Sequence, residues 1–244
     1  MTQLTVEDRI ALQEQGYSNP EFFCKTFLEE WFPSDMPWVH AGLLAVLTRQ
    51  TDWLAQRGDL AEIVENFVYY DGGVPRRIFE VDGDAVHMTV SRFTQIMMPR
   101  GLSKTTIVNA CVLWNIYYQE RKVIVYLSET ATHSEMQLTN IKRQIERNTL
   151  LTLVFGTITP ADKESGRWRQ DHIETQTGIT VQCRGRGGQV RGINVDGARP
   201  DFIVVDDVEN KESVATEEQR KKTRSWMYGD VMPALPALDS TATI

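Results

Sequence analysis

Phe202-Ile203-Val204-Val205 sits between Asp201 and the acids Asp206, Asp207 and Glu209. So short and so apolar a run, closed by acids at both ends, reads as a strand buried on both faces. Strands of that kind belong to parallel sheets covered by helices on each side. Val123–Leu127 is a second such run, within a strand expected over 122–127. Around these two, Phe93–Met98 reads as a strand, Thr105–Tyr118 as a helix and 131–148 as another helix. Arg167–Glu174 and Gly178–Cys183 read as a hairpin over Gln176-Thr177-Gly178. A last helix is expected over 217–232. Strands alternating with helices give an α/β chain with a mainly parallel sheet flanked by helices.

Residues 5–70 read differently, as a helical block. Asn19-Pro20 after Ser18 is a helix start, with a capping residue followed by proline in the first turn. Another helix is expected from about Trp38 to Ala55, and Asp71-Gly72-Gly73 ends the block. The expected division is an N-terminal helical region over 1–75 and an α/β core over 76–244.

With 244 residues, 41% hydrophobic and 24% charged, the chain can bury a substantial core, which excludes intrinsic disorder. The net charge of −7 argues against a protein that coats nucleic acid with its whole surface, although a local basic face is compatible with it. Cys24, Cys111 and Cys183 are far apart and odd in number, so neither a zinc site nor a disulfide framework is expected, and the compartment reads as reducing. No apolar run reaches the ~18 residues a membrane span needs, and the N-terminus does not read as a signal peptide.

Met98-Pro99-Arg100-Gly101-Leu102-Ser103-Lys104-Thr105-Thr106 stands where a phosphate-binding loop belongs, between an expected strand and an expected helix. Backbone N–H groups and the helix N-terminus favour an anion there. Lys104 would reach the β- and γ-phosphates of a nucleotide, and Thr105 would ligate magnesium. Arg100 would lie near the nucleotide. Met98 and Ser103 hold the two positions where the usual pattern has glycine, and Gly101 is displaced. The plainer reading makes Lys104 a solvated first-turn lysine and Thr105 a helix-start residue.

The acids after Val205 would face the crevice at the C-terminal end of the sheet. Asp206 fits a magnesium-holding position. Asp207 or Glu209 could orient and deprotonate an attacking water. Acids after a strand can also form a polar turn, but three this close repel one another unless a cation lies among them. Arg184, Arg186 and Arg191, interleaved with glycines, form a basic stretch. Arg191 reads as a DNA-facing residue, as an arginine reaching a neighbour's γ-phosphate, or as a solvated loop residue.

The order of these motifs over about residues 90–244 resembles the tailed-phage large terminase subunits, the DNA-packaging motors. Their loop reads Pro-Arg-Gly-x-x-Lys-[Ser/Thr], as Pro99–Thr105 does here. Ser128-Glu129-Thr130 is similar to their Ser-x-Thr turn after a strand. Arg191-Gly192, then Arg199-Pro200-Asp201 running into Asp206-Asp207, is similar to their segment leading to the metal strand. The resemblance implies an additional-strand P-loop NTPase core with an N-terminal helical lid region. It implies ATP and Mg2+ as cofactors, with Pro99 to Thr106 around the nucleotide and Thr105 and Asp206 on the metal. Asp207 or Glu209 would then be the catalytic carboxylate, with Arg100 and Arg191 as catalytic arginines. Many relatives have Asp-Glu where this chain has Asp206-Asp207, so the choice of carboxylate stays open.

The implied activity is ATP hydrolysis driving double-stranded DNA into a procapsid in the host cytoplasm. The implied partners are DNA, a portal protein, a small terminase subunit and further copies in a ring. The C-terminal nuclease of such proteins is expected to be absent from this chain, and with it DNA cleavage. A helicase-like DNA translocase and a degenerate P-loop nucleotide-binding module without turnover are the rival readings.

Overall fold

In a computed structural model, residues 4–71, 74–89, 93–94, 96, 98–99, 101–162, 166–209 and 214–236 are described. In chain order the elements begin with helices α1 (Val6–Ser18), α2 (Pro20–Phe27), α3 (Trp38–Thr48) and α4 (Leu60–Asn66). Strands β1 (Val68–Asp71), β2 (Val74–Arg77), β3 (Phe79–Asp82) and β4 (Ala85–Met88) follow. Then come α5 (Lys104–Tyr118), β5 (Val123–Ser128), α6 (Ala131–Arg147), α7 (Thr149–Phe155), β6 (His172–Glu174), β7 (Thr180–Gly185), β8 (Phe202–Val205) and α8 (Glu217–Trp226). The architecture is mixed α/β, and none of these helices is long and apolar enough to cross a membrane.

The chain forms two compact units, and it passes between them repeatedly. One holds residues 1–91, 98–118 and 148–156, and the other 92–97, 119–147 and 157–244. The first unit therefore takes α5 and α7 together with the N-terminal helices.

In the first unit the helix starts follow the capping chemistry of the sequence. Thr5 and Asp8 cap α1 reciprocally, and the Asn19 side chain accepts from the Phe22 N–H at 3.0 Å with Pro20 in the first turn. Gly16 lets α1 approach the aromatic end of α5. A Cβ there would clash with the Tyr118 hydroxyl, and the Trp114 indole donates to the Gly16 carbonyl at 3.0 Å. Tyr17, Phe23, Phe27, Tyr117 and Phe155 complete the aromatic cluster. The helix expected to Ala55 ends at Thr48, because Arg49 turns left-handed (φ 61°) and the chain restarts as a short 3-10 turn over Asp52–Gln56. Two antiparallel hairpins follow, β1–β2 and β3–β4. The second closes over Gly83-Asp84, with Gly83 at φ 60°, the conformation a two-residue hairpin turn demands.

In the second unit the sheet order is β6-β7-β5-β8. β5 pairs in parallel with β7 on one side and β8 on the other, and Tyr126 faces Cys183 and Val204 across the two ladders. β6 joins antiparallel through the expected hairpin, whose turn includes Gly178 at φ 82°. All six β5 residues are buried. One face of the sheet meets α6, where the Cys183 thiol donates to the Ser134 carbonyl at 3.2 Å; burial pushes that thiol up to about 12. On the other face Val125, Leu127 and Ile203 pack with Val190, Trp226, Val231 and Leu235. The helix expected to run to 232 stops at Trp226 and continues as a π turn and a 3-10 turn, which bring Val231 and Ala234 into that core.

The strand expected over Phe93–Met98 falls partly outside the described residues: Phe93, Thr94, Ile96 and Met98 lie in no strand, with Phe93 exposed, and Gln95 and Met97 are outside them.

Asp201 sets the register between β8 and β5. Its carboxylate accepts from the backbone N–H groups of Lys122 at 2.8 Å and Val123 at 3.0 Å, while its own N–H donates to the Val123 carbonyl. Arg121 lies 6.0 Å from the Phe202 ring centre. Replacing Asp201 by Ala leaves two strand-entry donors unpaired. We expect a loss of about 1–3 kcal/mol in urea unfolding, with the asparagine variant intermediate because its side chain keeps one acceptor.

Candidate functional site

The residues singled out from the sequence fall into both units, and each group is built within its own. In the first unit, the loop before α5 turns through two left-handed residues, Gly101 at φ 86° and Ser103 at φ 48°. Ser103 thus occupies a backbone state that favours glycine. A Cβ on Gly101 would meet nothing within 4 Å, so Gly101 is required by its dihedral rather than by crowding.

Lys104 is the first residue of α5, and its ammonium donates to the carbonyls of Met98 (3.0 Å) and Pro99 (3.2 Å). The loop is thereby closed on itself by the residue expected to hold phosphate. Thr105 and Thr106 sit half-buried in the first turn of α5, and Gly101 is exposed. Arg100 lies outside the described residues.

His40 carries no signal in the sequence that singles it out. It extends from α3, and its Nε2–H donates to the Leu102 carbonyl at 3.0 Å, fixing the loop from behind. Burial holds the imidazole below its ordinary value of 6.5, partly offset by that hydrogen bond. Beside it, Trp31, Phe32, Asp35, Met36 and Ser103 help line a cavity of about 440 Å³.

In the second unit the candidate acids follow β8. Asp206 is half-buried, its N–H donates to the Leu127 carbonyl, and its carboxylate accepts from the Tyr126 hydroxyl at 3.2 Å. Burial, with Asp206 adding to it, pushes the Tyr126 phenol far above its ordinary value, so it stays a donor. Asp207 is left-handed (φ 48°) and exposed, as is Glu209. The expected gathering of three acids around a cation is not formed. Among the described residues no three His, Cys, Asp or Glu side chains are placed to hold a metal, because the chain turns at Asp207 immediately after Asp206.

The C-terminal ends of β5 and β7 adjoin this turn. The Ser128 hydroxyl is fully buried and has no hydrogen-bond partner among the described residues. Thr130 caps the first turn of α6 through the His133 N–H at 3.2 Å. Gly185 admits the start of α6 closely, since a Cβ there would lie 2.7 Å from the Ala131 nitrogen. Arg186 ties the edge together: its N–H donates to the Ser128 carbonyl at 2.8 Å and its guanidinium to the Val208 carbonyl at 3.2 Å. Arg191 is exposed on the loop after β7. Tyr126 had a readable signal, a lone phenol in an apolar strand that must find a partner when buried. Nothing in the sequence distinguished His40 from the other histidines.

No family model matches the chain. No curated protein matches it, and no solved structure does.

Two measurements check the loop. Ser103→Val places a branched side chain at a left-handed residue and should cost about 1–2 kcal/mol in chemical denaturation, whereas Ser103→Gly should cost nothing measurable. His40 binds its proton less readily folded than unfolded, so its contribution to stability falls as pH drops below about 6.5. Between pH 7 and 5, His40→Gln should lose less stability than the unmodified chain, and NMR titration should place the His40 midpoint below 6.5.

Proposed function

We propose that this chain is an ATP-hydrolysing motor domain of the large-terminase type, which drives double-stranded DNA into a viral procapsid. The observation that supports this reading best is the loop ahead of α5. It turns through left-handed Gly101 and Ser103 and delivers Lys104 to the first position of a 15-residue helix. Loop N–H groups and a helix N-terminus together favour a phosphate.

The residues present suit ATP and Mg2+. Lys104 rests on two carbonyls that are weaker partners than a phosphate, so it can exchange them for the β- and γ-oxygens. Mg2+ keeps several waters and takes one or two protein oxygens beside the phosphates, so a three-carboxylate cage is not required. The resemblance alone assigns those oxygens to Thr105 and Asp206, and the ion would neutralise charge on the transferring phosphoryl group.

The protein's own groups do the rest. Tyr126 keeps the Asp206 carboxylate oriented, and His40 keeps the Leu102 carbonyl, and with it the loop, in place. Asp207 or Glu209, both exposed, would receive the proton of the attacking water. The cavity beside Ser103 has room for the base of the nucleotide. Arg100 would add positive charge at the γ-phosphate. Coupling to DNA, a ring of copies, a portal protein and a small subunit belong to this proposal through the resemblance of the motifs.

ATP turnover measured with and without duplex DNA tests the reading. Turnover should be stimulated by DNA and lost in Lys104→Ala by at least about 100-fold, the scale of removing one preorganised electrostatic contact. Asp206→Asn should weaken magnesium-dependent nucleotide binding. Asp207→Asn should bind nucleotide and not hydrolyse it, with Glu209→Gln milder; the reverse order moves the base to Glu209. Nucleotide binding with no turnover would instead favour a module that only binds. Turnover of ordinary rate in Lys104→Ala would refute the assignment.

A further inference from the structure

β7 places Gln182 and Arg184 on one face of the sheet, since alternate strand residues share a face. The loop that follows returns over them. It is pinned by the Arg186 bonds to Ser128 and Val208, by buried Val190, and by the Trp226 indole, which donates to the Gly188 carbonyl at 3.1 Å. Gly192, at φ 90°, turns it back. Between strand and loop lies a polar cavity of about 330 Å³, lined by Arg184, Arg191, Gln182, Gln189, Asn194 and their neighbours.

Its electrostatics are unusual for this chain. Acids outnumber bases 33 to 26 overall, yet no acid lines the cavity. Neither Arg184 nor Arg191 forms an ion pair among the described residues, whereas other basic side chains do, Arg57 with Asp59, Lys221 with Glu217 and Lys222 with Glu218 among them. The Arg184 guanidinium is held in place, donating to the Cys183 carbonyl at 2.6 Å and to the Gln182 side chain at 3.1 Å. Gln189 donates to the Arg191 carbonyl two residues on, at 3.3 Å, which fixes the turn of the loop beside Arg191. A preorganised guanidinium, a second one across the gap and side-chain amides around them are the donor set of a tetrahedral oxyanion site.

We propose that this cavity is a phosphate seat, in which Arg184 and Arg191 clamp one phosphate group of a nucleic-acid backbone or of a nucleotide. It shares no residue with the Lys104 loop, and it gives Arg191, a catalytic arginine under the resemblance, a partner in Arg184 and a binding role that is read without turnover.

The test is made in the Lys104→Ala chain, so that phosphate in that loop does not contribute. Arg184→Gln and Arg191→Gln are compared with Lys221→Gln, whose ammonium is already paired with Glu217. One arm measures affinity for a labelled 30-base-pair duplex over a range of salt. The other measures inorganic phosphate by NMR shifts of the Gln182, Gln189 and Asn194 side-chain amides. Arg191 is exposed, so its variant should keep the fold, which circular dichroism checks.

For a backbone phosphate, duplex affinity falls about 10-fold in each arginine variant, and the log–log salt slope drops by about 1. For a free phosphate, the amide shifts of the parent vanish in both variants while duplex affinity holds. Duplex affinity and amide shifts unchanged in both arginine variants, or a loss equalled by Lys221→Gln, would overturn the proposal.

Discussion

The parallel ladder on both sides of β5 is the constraint from which the second unit follows. A strand paired on both edges and buried along its whole length has no solvent-facing side, so each face must be covered by another layer. α6 covers one face. The other takes Val190, Trp226 and the turns after α8, which is why the chain after Trp226 leaves α-helical geometry to bring Val231 and Ala234 inward. The same ladder fixes where polar groups emerge. β5, β7 and β8 run parallel, so Ser128, Gly185 and Asp206 all come to the C-terminal edge.

That edge is held by contacts that secondary structure alone does not supply. Asp201 secures the entry of the strands with two backbone donors, and Arg186 secures their exit with two backbone carbonyls. Between them β8 is short, four residues, and has little ladder of its own. The Asp201 carboxylate shows the balance involved. Burial pushes it up from its ordinary value, and the two N–H groups it accepts from, with Arg121 nearby, pull it back. Burial wins, so the half-buried carboxyl takes up a proton more readily than an ordinary aspartate, and deleting it would leave both donors unpaired.

Much of this was legible in the residues. β8 has the boundaries of its apolar run, the β6–β7 hairpin follows its Thr-Gly turn, and α2 begins at the Asn-Pro pair. These succeeded because a local signal and the tertiary environment agree. At Phe93–Met98 the described residues lie in no strand and Phe93 is exposed, so apolar residue types there do not mark a buried ladder. The hairpins at Val68–Arg77 and Phe79–Met88 do not stand out in the sequence, because each strand is only four residues long and too short for a clear alternating pattern. Of the candidate site, the loop and the acid after β8 were visible as motifs. The partners that orient them, His40 and Tyr126, come from 62 and 80 residues away, a distance at which sequence spacing carries no information.

The two compact units exchange the chain five times, at 91/92, 97/98, 118/119, 147/148 and 156/157. Neither is a contiguous stretch, so neither can be cloned, shuffled or released by one protease cut. α5 leaves the first unit straight into β5 of the second, with only Gln119–Lys122 between them. Such wiring makes the pair one heritable piece: an insertion that loosened one unit would have to be compatible with the covalent path of the other.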